Sequence, residues 1–137
     1  MKKIFIDTNV IIDLIADRKH FNQFAVEIFT KAENKSIKLY ISSHATATTH
    51  YLFKKHIGEK ELPEILNNLT KFISFVTTDE VLIKKALKSK CKDFENAKQI
   101  ITAYAAEKID CIVTRNIKEF KNCEIPVFSP DELIKKI

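Results

Sequence analysis

The sequence predicts one α/β domain, spanning residues 1–137, with a mainly parallel twisted sheet of about five strands flanked by helices. Three observations predict it. Short apolar runs alternate with longer segments of helical periodicity, the pattern of strand–helix–strand units. Runs such as Ile4-Phe5-Ile6 and Cys111-Ile112-Val113 are continuously apolar, as expected of strands buried on both faces. A chain of 137 residues suits one domain, and 45% hydrophobic with 30% charged residues is a globular composition.

The elements follow in order. Ile4-Phe5-Ile6 is the first strand. Asp7 or Thr8 can cap a helix carrying Val10, Ile11, Leu14 and Ile15 at helical spacing. A second helix sets Phe21, Phe24, Ala25, Ile28, Phe29 and Ala32 on one face, which reads as core or dimer surface rather than a base-stacking platform. Ile37 to Ile41 is the second strand, and Ser42-Ser43 leads into a helix from about His44 towards His56, ended by Gly58. Pro63 suits the first turn of a helix carrying Ile65, Leu66 and Leu69. Phe72 to Val76 is the third strand, after which Thr78 or Asp79 caps a helix containing Val81, Leu82, Ala86 and Leu87. Asp93 caps the next, with Ala97, Ile100, Ile101, Tyr104 and Ala105 facing inward. Cys111 to Val113 is the fourth strand, and Pro126-Val127-Phe128 is a short fifth, placed at a sheet edge by its proline. Ser129-Pro130-Asp131-Glu132 opens a last helix with a cap, a first-turn proline and two acids against the dipole.

Composition removes several function classes. With one glycine in the chain there is no Walker A loop, no G-x-G-x-x-G fingerprint and no G-x-S-x-G elbow. Cys91, Cys111 and Cys123 are an odd set without C-x-x-C spacing, which argues against a disulfide framework or a four-ligand zinc site; Cys111 reads as buried. His44, His50 and His56 are six apart and turn to different sides of a helix, so they share no metal face. The net charge of +5 is compatible with a polyanionic partner, although pairs such as Lys54-Lys55, Lys84-Lys85 and Lys135-Lys136 also suit helix C-termini. Asp7 breaks the N-terminal apolar run too early for a signal peptide. No window approaches the roughly 18 uncharged apolar residues of a membrane helix. The expectation is a cytoplasmic protein with no membrane segment.

In open parallel sheets, sites form beyond the carboxyl ends of the strands. The polar residues there are Asp7-Thr8-Asn9, Thr77-Thr78-Asp79 and Thr114-Arg115-Asn116. Asp7 is either a helix cap or an oxygen ligand for a hard divalent cation. Arg115 suits an RNA phosphate or a structural ion pair equally. His44 either borders the crevice, one turn before Thr48, or is exposed at the helix start.

The opening strand followed by Asp7-Thr8-Asn9-Val10 resembles that of PIN-domain ribonucleases, which include VapC-type toxins of toxin–antitoxin pairs. Val113-Thr114-Arg115-Asn116 with Glu119-Phe120, Ile125-Pro126-Val127 leading to Ser129-Pro130-Asp131-Glu132, and Asp93-Phe94-Glu95-Asn96-Ala97 extend the resemblance over nearly the whole chain. It implies a single PIN-like domain, a Mg2+ or Mn2+ cofactor, hydrolysis of single-stranded RNA, a small antitoxin partner and a homodimer. Exposed apolar positions on the second and fourth helices would fit that dimer.

By this resemblance Asp7 anchors the metal, Asn116 and Asn96 hold ligands or ligand waters, and Thr48 positions a water. Asp93, three residues before Asn96, is a further candidate metal ligand. Arg115 and His44 are candidate RNA contacts. Glu95 and Glu119 are further acids, each readable as a solvated surface residue. The chain departs from the family where Thr48 stands for a glutamate and Asn96 for an acid. Each departure removes an anionic group facing the cation. Two readings therefore stand: a metal-dependent endoribonuclease, or a catalytically weakened PIN-fold module that binds RNA or protein. A small-molecule-binding α/β protein outside the family is the third.

Overall fold

The structure is a computed structural model that describes residues 2–16, 22–43, 64, 67–68, 71–77, 80–88, 109–120 and 125–137. Among them, β1 (Lys2–Ile6) leads to α1 (Thr8–Ala16) and α2 (Asn22–Glu33), then to β2 (Ile37–Ser42) and β3 (Ile73–Val76). After β3 come α3 (Glu80–Lys88), β4 (Cys111–Val113), a 3-10 turn (Ile117–Phe120), β5 (Val127–Phe128) and α4 (Pro130–Ile134). The expected helices from His44 and from Asp93, and the caps at Thr78 or Asp79, lie outside the described residues, as do Ile65, Leu66 and Leu69 of the helix expected from Pro63.

The five strands form one sheet in the order β3-β2-β1-β4-β5, and every pair is parallel. This is the expected fold class, with β5 at an edge behind Pro126. The register sets Ile4 opposite Leu39 and Cys111, and Ile6 opposite Val113. Strand alternation then sends side chains to two different cores. Ile4, Ile6, Leu39, Ile41 and Val113 face Val10 and Ile11 of α1, Ala25, Ile28, Phe29 and Ala32 of α2, and Leu133 of α4. On the other face Phe5, Tyr40 and Ile112 pack with Phe120. Ile4, Phe5 and Ile6 are all fully buried, which is why this strand reads as an unbroken apolar run. Each contributes about 2 kcal/mol by leaving water.

The helix ends are closed by local chemistry. At the end of α2, Ser36 N–H donates to the Lys31 carbonyl at 2.9 Å and Lys35 N–H to that of Ala32 at 3.0 Å. This is a Schellman closure, and it sets Lys35 at φ 63°, a position glycine usually fills. At α4, Ser129 caps the helix and Glu132 reaches back to the Ser129 N–H at 3.3 Å, completing the capping box expected from the sequence. Leu133 anchors this helix in the first core. By contrast, α3 leaves Val81, Ile83 and Leu87 exposed. No helix among the described residues is long and apolar enough to cross a membrane.

Candidate functional site

The sheet order locates the crevice. The chain moves outward from β1 through β2 to β3, then returns to the other side of β1 with β4 and β5. The switch point therefore lies between β1 and β4, the position where open parallel sheets form their crevice at the strand ends. Asp7 ends β1 and Thr114-Arg115-Asn116 ends β4, so two polar clusters far apart in sequence become neighbours.

Backbone bonds extend the sheet one residue beyond the strands. Asp7 N–H donates to the Val113 carbonyl and Thr114 N–H to that of Phe128, each at 3.0 Å. Asp7, immediately before α1, is only 5% exposed, and its carbonyl accepts from Val10 N–H at 3.1 Å. Its carboxylate thus sits at the positive end of the α1 dipole.

Side chains then fix that carboxylate. The Thr114 hydroxyl, fully buried, donates to Asp7 Oδ2 at 2.6 Å. Thr114 Oγ1 in turn accepts from Asn116 N–H at 3.1 Å and from Asn9 Nδ2 at 3.4 Å. With donors on both of its lone pairs, the hydroxyl must direct its proton at Asp7. Asn9 is a bridge, since its Oδ1 also accepts from Arg115 N–H at 3.4 Å. Arg115 Nε lies 2.7 Å from Asp13 Oδ2, and the Asp13 side chain is buried on α1.

Among the predicted site residues, Asp7, Asn116 and Arg115 come together at this switch point. Asp7 is buried, Arg115 is partly buried in its ion pair with Asp13, and Asn116 is exposed beside them. Glu119 lies in the 3-10 turn that follows, its side chain outside the description. Thr48, His44, Asp93, Glu95 and Asn96 lie outside the described residues.

Two members of the network escaped a functional reading. Thr114 was visible only as one polar strand-end residue among several. Asp13 is not among the predicted site residues, although the sequence carries a signal for it. It is a carboxylate inside the apolar run Val10-Ile11-Ile12-Asp13-Leu14-Ile15, one helical turn after Asn9.

The donor chemistry suits a hard divalent cation in part. Asp7 supplies a carboxylate at a strand end, with neutral oxygens from Thr114 and Asn116 nearby. No group of three or more His, Cys, Asp or Glu side chains is placed to hold a metal ion among the described residues.

Known proteins resemble this chain in sequence and fold. The chain is 22% identical over 138 residues to Ribonuclease VapC1 of Aquifex aeolicus (strain VF5), covering 98% of this chain and 95% of that protein. Its fold resembles VapBC2 from Rickettsia felis, solved bound to a DNA fragment from its promoter, with a TM-score of 0.68, 18% identity, and 93% and 98% of the two chains covered. A toxin–antitoxin complex from Klebsiella pneumoniae matches with a TM-score of 0.66 and 22% identity, over 93% of this chain and 97% of that one. VapC20 of Mycobacterium tuberculosis, a Sarcin-Ricin loop cleaving toxin, gives a TM-score of 0.62 and 14% identity, over 80% and 86%. The PIN domain family itself matches residues 3–118, from the first strand past the Thr114-Arg115-Asn116 cluster, and this chain belongs to it.

Proposed function

We propose that the protein is a divalent-metal-dependent endoribonuclease that hydrolyses single-stranded RNA and serves as the toxin of a toxin–antitoxin pair. The observation that carries this reading is the buried Asp7 carboxylate, oriented by Thr114 at the switch point of an all-parallel sheet. The similarity to Ribonuclease VapC1 and to VapBC folds supports the reaction and the antitoxin partner.

Asp7 holds the cation, with Asn116, Thr48, Asn96 and Asp93 as the further candidate ligands or water holders. Mg2+ and Mn2+ suit this oxygen-only set. When bound, such a cation supplies an acidified water and offsets charge at the phosphorus. The chain's own part is electrostatic and geometric. Thr114 keeps one Asp7 oxygen engaged and so fixes the direction of the other, while the α1 N-terminus favours an anionic phosphate beside it. The +5 net charge draws the polyanion in. An RNA substrate and the buried free thiol of Cys111 fit a cytoplasmic setting. A homodimer would use apolar surface such as Val26 of α2, which is 43% exposed.

The test is cleavage of a labelled single-stranded RNA with Mg2+, Mn2+ or chelator, for wild type and Asp7→Asn. Cleavage should require metal and vanish in Asp7→Asn, while the fold persists because asparagine also caps a helix well. Divalent binding unchanged in Asp7→Asn would remove Asp7 from the site.

The neutral residues Thr48 and Asn96 favour a second reading, a PIN fold that binds RNA without cutting it efficiently. Under that reading wild type binds RNA and leaves it intact, and Thr48→Glu with Asn96→Asp restores metal-dependent cleavage.

A further inference from the structure

Helix α1 grips the segment after β4 at two points. Asn9 Oδ1 holds the main chain through Arg115 N–H at 3.4 Å, and one turn later Asp13 Oδ2 holds the side chain through Arg115 Nε at 2.7 Å. Residues four apart share a helix side, so a single edge of α1 carries both contacts. The segment so held contains Thr114, whose hydroxyl meets Asp7, and Asn116, whose N–H returns to Thr114 Oγ1 at 3.1 Å.

We propose that Asp13 and Arg115 are a positioning pair for the Asp7 site: their ion pair sets the Thr114-Arg115-Asn116 segment in register with Asp7, and Arg115 does not contact RNA. This deepens the reading of the protein as a metal-dependent nuclease and rests on it.

Burial favours the positioning role for Arg115. The Asp13 side chain is 1% exposed and that of Arg115 22%. An arginine that swung out to a phosphate would break its ion pair with a buried carboxylate, and breaking a buried pair is strongly destabilising. Conversely, a buried ion pair adds little net stability over apolar residues of similar size, so its effect is chiefly on geometry. The geometry at stake is that of the group orienting a candidate metal ligand, and outer partners of ligands change metal affinity by about 10- to 100-fold.

The test compares wild type with Asp13→Asn, Arg115→Met and the charge-free double variant Asp13→Leu/Arg115→Met. Three readouts are taken: Mn2+ affinity by calorimetry, kcat and KM on a labelled single-stranded RNA, and amide hydrogen exchange at Arg115 and Asn116 in metal-free protein. The expected result is Mn2+ binding weakened by about tenfold in each single variant, with the double variant no worse than either. kcat should fall with KM unchanged, and exchange at both amides should quicken. Where a single variant fails to fold because one charge is stranded, the double variant decides.

Two results overturn the inference while leaving the nuclease reading intact. One is Mn2+ affinity and amide exchange in the double variant equal to wild type. The other is Arg115→Met raising KM and lowering the salt slope of RNA binding by about one, the mark of a lost phosphate contact. If wild type itself neither binds Mn2+ nor cuts RNA, the nuclease reading falls and this inference falls with it.

Discussion

Thr114→Val removes the hydroxyl that orients Asp7 while nearly preserving side-chain shape, and its effect can be worked from the bonds around it. The hydroxyl donates to the Asp7 carboxylate at 2.6 Å, a bond to a charged group worth about 1.5–3 kcal/mol. It also accepts from Asn116 N–H at 3.1 Å and from Asn9 Nδ2 at 3.4 Å, and these longer bonds to a half-buried and an exposed residue are worth about 0.5 kcal/mol each. Burying a methyl in its place returns about 0.8 kcal/mol. The net loss is about 2–3 kcal/mol, or a fall in melting temperature of roughly 10 °C for a domain of this size. Thr114→Ser keeps the hydroxyl and should lose far less. Denaturant unfolding of the three proteins measures the difference, and Mn2+ titration measures the loss of affinity that should accompany it. A Thr114→Val protein within about 0.5 kcal/mol of wild type and with unchanged Mn2+ affinity would refute the claim that this hydroxyl orients Asp7.

Two further predictions concern buried polar groups away from the site. The Tyr40 hydroxyl is buried in the second core without a hydrogen-bond partner among the described residues, so Tyr40→Phe should raise stability by about 1 kcal/mol, read by denaturant unfolding. Burial pushes the Cys111 thiol from its ordinary 9.0 up to about 11, with Lys2 drawing it down and Asp110 raising it further. The unfolded thiol then loses its proton at lower pH than the folded one, so this contribution to stability is complete below pH 9 and disappears as pH rises through about 11. Melts across that window should show the decline, and Cys111→Ala should lessen it.

The fold was legible because its physics is local. Ile4-Phe5-Ile6 and Cys111-Ile112-Val113 are apolar throughout since the sheet is covered on both faces, and no half-exposed strand needs such a run. The Ser129 to Glu132 capping box is complete within four consecutive residues, so its chemistry appears directly in the sequence. Pro126 marked an edge strand for an equally local reason. The end of α2 was harder. Lys35 adopts a left-handed conformation that favours glycine, and the α2 closure overrides that preference, so no residue type announced the turn.

The site was legible by residue type and illegible by partnership, and topology is the reason. A rule about strand ends selects Asp7 and the Thr114-Arg115-Asn116 cluster, because polar residues after buried strands need some purpose or some solvent. It does not say that β4 lies beside β1, and only that adjacency brings Thr114 to Asp7 across 107 positions of sequence. Asp13 shows the same limit more sharply. On its own helix it has apolar neighbours and violates the pattern, and a counter-charge arrives from a segment that α1 cannot specify. A buried acid inside an apolar helix is therefore best read as a demand for a cation from elsewhere in the fold. Here that demand is met by Arg115, two residues after β4, so the residue that neutralises Asp13 is also the one joining Thr114 to Asn116. Charge compensation in the core and geometry at the crevice are in this way properties of one short segment, and a change to either should register in the other.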